Sequence, residues 1–421
     1  FNGFCSHCGF EKGFIEPTLY IPASVISIEG NPFHDCSGLE SIVVDEGNTV
    51  YDSRENCNAI VQTATNRMLI GCQNTFVPAS VTSFGAWVFA GVTGLTSFEI
   101  PYGFTSIPSY MLAWCTNLTS VEIPNTVTSI GYDAFRNCSS LSHVEIPNSV
   151  RSIDMGAFSE MASLESLHIP SSVTSIYESF LNGSGATTSL TVDIDNQYYD
   201  SRDNCNAIIH TASNTLLAGC QNTVIPPTVT RIAYSAFTRC VMGSIDIPNN
   251  VTSIDEFAFG FCPNLTRVTL PDSITIIEDG TFYECQNLKA ITIPAPVTVV
   301  ADNAFRMCYS LEKVMSKPIV PPSLTQYTFA ESYGATLYVP NESLEDYRAH
   351  EFWGKFTHIV PFIGAGPGDV DGDGRIDISD VTTLIDGMLA GGAPGYCDVD
   401  GNGKIDISDV TALIDMLLSG H

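Results

Sequence analysis

The chain has 421 residues, 44% of them hydrophobic and 10% aromatic, and a net charge of −29 with only 17 Lys and Arg. That composition can bury a large core and excludes a disordered chain. The field it creates excludes nucleic acid and anionic membranes as partners. Such acidity suits cations, Ca²⁺ above all, and life on an extracellular surface. No apolar run approaches the roughly 18 residues of a membrane span. The chain opens at Phe1 with neither a Met nor a basic stretch, so removal of a signal peptide or an upstream segment is expected.

Near the start, Cys5 and Cys8 frame His7 in a lone CxxC. One such pair is weak for zinc, and no βαβ context supports a redox motif. A local disulfide or the end of a cut repeat is the expectation. From about Leu19 a repeat takes over. Pro78, Pro101, Pro124, Pro147 and Pro170 stand 23 residues apart, as do Pro248, Pro271 and Pro294. Around each Pro runs the template LxxVxIPxxVxxIxxxAFxxC. In the unit at Leu118, Val121 and Ile123 alternate inward with strand period. Pro124 ends the strand because it cannot donate to a ladder. Val127 and Ile130 supply a second apolar pair, and Ala134 and Phe135 fill the core on the return side. One unit cannot bury its apolar face; stacked units can. Cys115, Cys138, Cys262, Cys285 and Cys308 share one template position, which Cys36 and Cys240 also fit. We read them as a buried ladder of small side chains without chemistry.

Two units are longer, and their extra residues match: "YDSRENCNAIVQTATNRMLIGCQNT" from Tyr51 and "YDSRDNCNAIIHTASNTLLAGCQNT" from Tyr199. The offset implies that a block of one long and four short repeats was copied whole. Each insert (about 47–76 and 195–224) reads as a β-hairpin around "TATN" or "TASN". Its two Cys fall at equal distances from the turn, so Cys57–Cys72 and Cys205–Cys220 disulfides are expected; the alternative is two free, buried thiols. Asp52, Arg54 and Glu55 invite a catalytic reading. Their recurrence as Asp200, Arg202 and Asp203 points instead to a structural turn with an internal Arg–carboxylate pair.

The phrase decays beyond residue 317. Ser343 to Lys355 reads as a short helix carrying Leu344, Tyr347 and Trp353, within a cap (318–363) that closes the open core. "GAGPG" (364–368) is a linker. The 23-residue phrase resembles the BspA-type leucine-rich repeats of bacterial surface proteins. The resemblance implies an α/β leucine-rich repeat solenoid over 1–317, mostly β, with parallel strands on its concave face. It also implies secreted or cell-surface binding of a protein or glycan, with no catalytic residues. One solvent-facing column reads Glu99, Glu122, Glu145 and His168, beside Ser97, Ser120, His143 and Ser166. Like charges facing each other across strands are destabilising, so the Glu column is a candidate ligand face for a cationic partner. The plain alternative is a solvated acidic face.

The tail (369–421) carries one acidic loop twice. Ca²⁺ loops take oxygen ligands at positions 1, 3, 5, 7, 9 and 12, with Gly at 6. Loop one supplies Asp369, Asp371, Asp373, the carbonyl of Arg375, Asp377 and Asp380, around Gly374. Loop two supplies Asp398, Asp400, Asn402, the carbonyl of Lys404, Asp406 and Asp409, around Gly403. Asp replaces the usual Glu at position 12, and Asn402 removes one charge from loop two. Two bound Ca²⁺ ions are expected. Val381, Leu384, Ile385, Met388 and Leu389 form an apolar helical stripe, repeated by Val410, Leu413, Ile414, Leu417 and Leu418. There is room for one helix after each loop and none before, so each unit is half an EF-hand. The pair resembles a type I dockerin, a small all-α module that plugs into cohesins on a scaffold protein. By that resemblance, recognition rests on Ile378, Ser379, Thr382, Thr383 and Asp386, and in the copy on Ile407, Ser408, Thr411, Ala412 and Asp415. Ile at position 10 and Asp at 386 and 415 depart from the family pattern and imply a cohesin of divergent specificity. The near-identity of the copies would allow docking in two orientations. A Ca²⁺-stabilised clip on the solenoid is the structural alternative.

No GxSxG, HExxH or phosphate loop occurs. The leading reading is a secreted, non-catalytic adhesion or recognition protein docked on a cellulosome-type scaffold. The second is an enzyme or enzyme regulator, such as a peptidase inhibitor, carried by the same tail.

Overall fold

A computed structural model of the chain describes residues 17–34, 36, 38–362, 370, 376–389, 399–400 and 404–419. Cys5, Cys8 and the 364–368 linker lie outside the described residues. The repeats stack as a parallel β-solenoid. Within each coil the first template strand pairs with its copy in the next coil: Ser97–Glu99 lies parallel to Ser120–Glu122, with Phe98 opposite Val121 and Glu99 opposite Glu122. The second strand does the same, and Ser106–Ile107, Ser129–Ile130, Ser152–Ile153 and Ser175–Ile176 make one four-stranded sheet. A six-stranded parallel sheet closes the array, from Ser244–Asp246 to His358–Phe362. The alternation of template residues is what puts Leu118, Val127, Ile130 and Phe135 in the buried core.

In the later coils the Phe of one coil stacks on that of the next. Phe237, Phe259, Phe282, Phe305 and Phe329 run in series with centroids 5.0–5.6 Å apart and rings within 12° of parallel. The Cys column does more than fill space. Five of its thiols donate to a carbonyl of the coil before: Cys115 to Phe89, Cys138 to Leu112, Cys262 to Phe237 and Cys285 to Phe259, all at 3.1 Å, and Cys308 to Phe282 at 3.2 Å. Ser184 and Ser332 make the equivalent bonds to Phe158 and Phe305. Burial pushes the Cys115 thiol up to about 12, so these thiols are structural donors and not nucleophiles. Cys138→Ala should therefore cost about 1 kcal/mol for the lost bond, with Cys138→Ser closer to the parent in urea denaturation.

The return side of each coil holds a feature the template does not announce. Asp133, Phe135 and Asn137 donate to the carbonyls of Met155, Ala157 and Ser159 in the next coil at 2.9–3.0 Å. Phe257, Phe259 and Phe261 repeat this toward Asp279, Thr281 and Tyr283. The outer two residues of these trios have positive φ, among them Phe257 (54°) and Phe261 (60°), and Trp87 (66°), Tyr110 (57°) and Trp114 (59°) adopt the same conformation in their own coils. A left-handed residue turns every second N–H along the solenoid axis, so the ladder bonds offset the conformational cost of about 1–2 kcal/mol for each L-residue.

In each insert, Ala59–Gln62 pairs antiparallel with Arg67–Gly71, and Ala207–His210 with Thr215–Gly219. The returning hairpin strand then pairs parallel with the second strand of the next coil, Arg67 opposite Ser83 and Thr215 opposite Arg231. The insert thus stands in for a missing coil strand and keeps the ladder continuous. Gly71 and Gly219 are required there: a Cβ would fall 2.2 Å from the Phe89 ring and 2.0 Å from the Phe237 ring.

The expected disulfides are not formed. Cys57, Cys72, Cys205 and Cys220 are all free and buried. A bulge shifts the register between Ile60 and Val61, so Ala59 faces Gly71, and the matching shift in the second hairpin sets Ala207 opposite Gly219. The added residue moves the Cys of each pair out of opposition, and they enter different hydrophobic clusters. Cys72 and Cys220 donate instead to the carbonyls of Asn58 and Asn206 at 3.3 Å.

Arg54 grips Asp52 with two bonds of 2.7 and 2.6 Å and reaches Asn66 at 2.7 Å. Arg202, Asp200 and Asn214 repeat the arrangement. Glu55 and Asp203 take left-handed φ and point outward. Burial raises the Asp52 and Asp200 carboxyls, but the bonds from Arg54, Thr63, Arg202 and Thr211 outweigh it and hold both below the ordinary carboxylate range. A depressed folded value means stability present above the unfolded pKa of about 3.9 and lost as pH falls through the folded one. Urea midpoints between pH 6 and pH 3 should fall less steeply for the Asp52→Asn/Asp200→Asn variant than for the parent.

At the C-terminal end, helix α1 (Leu344–Ala349) and a 3-10 turn (Trp353–Lys355) replace the single longer helix expected. His350 has extended backbone and breaks it. Tyr347 and Trp353 are wholly buried. Tyr347 donates to the Pro318 carbonyl and Trp353 Nε1 to that of Pro322, both at 2.8 Å, sealing the last coil.

Candidate functional sites

The first-strand column is exposed as its spacing demands: Glu99, Glu122, Glu145 and His168 all face solvent. They do not form one uninterrupted ladder. Glu99 and Glu122 belong to one two-stranded sheet, while His168 belongs to another, Ser166–Ile169 with Ser189–Val192. Between them, at the first-strand position, the coil holding Glu145 has no named strand and pairs through an isolated bridge from His143 to Ser166. A cleft of about 210 Å³ opens at this interruption, lined by His143, Glu145, Pro147, Asn148, His168, Pro170 and Asp193. His168 Nδ1 sits 2.9 Å from the Thr191 hydroxyl. The structure therefore brings Glu145 and His168 together with Asp193 and Asn148, which the column reading missed because they follow the strands. Further along, the neighbouring column turns basic. Arg267 pairs with Asp246 at 3.2 Å and Lys313 lies over Tyr338 at 5.1 Å.

A second assembly on the return side went unseen in the sequence. His34, Trp87, Tyr110 and Trp114 stack with rings near parallel, Trp87 and Tyr110 at 3.8 Å, and Arg136 lies over Trp114. Burial pushes the Tyr110 hydroxyl up to about 12. The rings cover one another's faces, which makes this mortar between coils.

The tail has its own core: Val370, Val381 and Leu384 meet Val399, Val410 and Leu413. Helices α2 (Ile378–Leu389) and α3 (Ile407–Ser419) each begin at the tenth position of an acidic stretch, where the half EF-hand reading expects a helix. Of the twelve candidate ligands, Asp377, Asp380, Asp400, Lys404, Asp406 and Asp409 are described; Asp369, Asp371, Asp373, Arg375, Asp398 and Asn402 lie outside the described residues. Among the described residues no group of three His, Cys, Asp or Glu is placed to hold a metal. The described acids nevertheless fit one. Asp380 and Asp409 are wholly buried. Asp380 accepts from Val370 N at 2.6 Å and Asp377 N at 2.7 Å; Asp409 accepts from Val399 N at 2.7 Å and Asp406 N at 2.8 Å. Each carboxylate accepts from backbone N–H groups with both oxygens, and a bound cation would offset the cost of a negative charge this deep. When bound, Ca²⁺ would neutralise these acids and tie each loop to its helix.

Of the cohesin candidates, Ile378, Thr382, Thr383, Asp386, Ile407, Thr411 and Asp415 are exposed, while Ser379, Ser408 and Ala412 are half-buried. Thr382 and Thr411 return their hydroxyls to the carbonyls of Ile378 and Ile407 at 3.0 Å. The apolar stripes divide between two faces. Val381, Leu384, Val410 and Leu413 enter the core, but Ile385, Leu389, Ile414 and Leu418 stand exposed. Among the described residues no helix is long and apolar enough to cross a membrane.

A mostly β parallel solenoid with an acidic loop–helix tail defines a leucine-rich repeat protein built of module types that are not enzymatic. The chain belongs to the BspA-type leucine-rich repeat family, whose model matches residues 9–66, 67–188 and 214–336. A type I dockerin model matches residues 367–418. That module binds calcium and takes a cohesin as partner, so the chain is an interaction protein that docks on cohesin. No curated protein matches the chain. Among solved structures, a leucine-rich cell surface protein from Faecalibacterium prausnitzii A2-165 is similar over 78% of this chain and 79% of its own, at 24% identity and a TM-score of 0.54. The pneumococcal vaccine antigen PcpA is similar over 82% and 79%, at 16% identity and a TM-score of 0.53. Both likenesses are of fold alone.

Proposed function

We propose that this is a secreted, non-catalytic recognition protein held on a bacterial cell surface through a cohesin-bearing, cellulosome-type scaffold. The observation that carries this is the duplicated loop–helix tail with a buried, loop-closing Asp in each copy. Asp369, Asp371, Asp373, Asp377 and Asp380, with the Arg375 carbonyl, would hold one Ca²⁺. Asp398, Asp400, Asn402, Asp406 and Asp409, with the Lys404 carbonyl, would hold the second. Residues Ile378, Ser379, Thr382, Thr383 and Asp386, or their copies Ile407, Ser408, Thr411, Ala412 and Asp415, would meet the cohesin in either of two orientations. The unit would then run from the solenoid (1–317) through its cap (318–363) and linker (364–368) to the dockerin (369–421). A pull-down with the intact chain, in Ca²⁺ and in chelator, tests the tail. Recovery of a cohesin in Ca²⁺ alone supports the reading; equal recovery in chelator contradicts it.

The solenoid's ligand face would run along Glu99, Glu122, Glu145 and His168 and take a cationic segment of a protein or glycan. Support comes from the cleft beside Glu145 and His168. Glu122→Gln should weaken capture of that ligand by about 1 kcal/mol, read by surface binding at low salt. An unchanged affinity would return the column to a solubilising role.

A further inference from the structure

The docking reading of the tail says where a partner sits, and the exposed side chains say what it must be made of. On α2, Ile378, Ile385 and Leu389 recur at helical spacing on one face. Ile378 is 72% exposed and Leu389 81%. On α3, Ile407 is 70% and Leu418 82% exposed, with Ile414 between them. Large aliphatic side chains bared to this extent, twice and at matched positions, mark an interaction face. The core does not need them, since Val381, Leu384, Val410 and Leu413 already fill it. The charges beside the stripes have one sign. Neither helix contains Lys or Arg, and Asp386 and Asp415 are exposed between Ile385 and Leu389 and between Ile414 and Leu418.

Resting on the docking reading, we infer that the tail's partner is a cohesin whose docking surface is apolar at its centre and basic at its rim. Ile385 and Leu389, or Ile414 and Leu418, form the buried centre of the contact, and Asp386 or Asp415 meets Lys or Arg of the partner. Specific interfaces are built this way, with a desolvated apolar centre and a charged rim that sets partner choice. A second copy of this chain is a poor occupant: it would bring acid against acid in a molecule of net charge −29.

The test uses the intact chain in Ca²⁺ and two recombinant cohesins, one with an apolar surface rimmed by Lys and Arg, the other rimmed by Asp and Glu. The basic-rimmed cohesin should bind tighter by about 100-fold. The L389A/L418A double variant should lose about tenfold or more with its Ca²⁺-dependent helicity intact. L389A alone should lose little, because the other face remains. D386K/D415K should move preference toward the acid-rimmed cohesin. Equal or tighter binding of the acid-rimmed cohesin by the parent would overturn the inference while leaving the docking reading standing. Unchanged affinity in L389A/L418A would overturn it too, as would a dimer of the parent that this variant dissolves. Failure of both cohesins to bind would bring down the docking reading and this inference together.

Discussion

Excess chelator is expected to abolish the helical signal of α2 and α3 and leave the solenoid's β signal in place. Among the described residues the tail's core has six buried aliphatic side chains, too few to offset the ordering of its loops and helices. What remains is the metal, which binds only the folded loops and so adds its binding free energy to folding. Asp380 and Asp409 are where this coupling should concentrate, because backbone N–H groups from both sides of each acidic stretch donate to them. Asp380→Ala or Asp409→Ala should lower Ca²⁺ affinity by about tenfold or more and reduce helicity at limiting Ca²⁺. Circular dichroism during a Ca²⁺ titration reads both. A tail that stays helical in chelator would show that its core suffices alone.

Phe282→Ala is expected to be among the most damaging single changes in the solenoid. The ring lies midway in the run from Phe237 to Phe329 and is fully buried. Truncating a buried Phe costs about 3–5 kcal/mol. In a stack where each coil touches only its neighbours, that loss falls on two interfaces. Urea unfolding should therefore split, the coils after residue 282 opening before those ahead of it. Hydrogen exchange should show the boundary, with Phe282→Leu intermediate. A single, unshifted transition would mean that the coils are not coupled through this ladder.

The parts legible in the sequence were those set by period. Spacing of 23 residues places the strands, Pro124 and its copies end them, and the equal-length arms around "TASN" make a hairpin. The parts not legible depend on events of one residue. A bulge beside Ile60 is invisible to spacing, yet it separates Cys57 from Cys72. Left-handed φ at Trp87, Tyr110 and Phe257 runs against what bulky residues prefer; only the neighbouring coil, which supplies the ladder bonds, makes it stable. Helical spacing finds apolar residues in the tail but cannot tell a core-facing stripe from a bared one. Leu384 and Leu389 look alike in sequence and end up on opposite sides of the packing. The calcium-binding module type was legible because calcium chemistry fixes both residue type and spacing. Asp193 and Asn148 were not, since they join the cleft through the stacking of coils.

The most direct test of the account is calorimetric titration of a cohesin into the intact chain in Ca²⁺, in chelator, and with the D380A/D409A variant. The account predicts a saturable heat in Ca²⁺ that vanishes in chelator and is lost or greatly weakened in the variant. Equal affinity in all three would place the contact outside the calcium-held tail and contradict it.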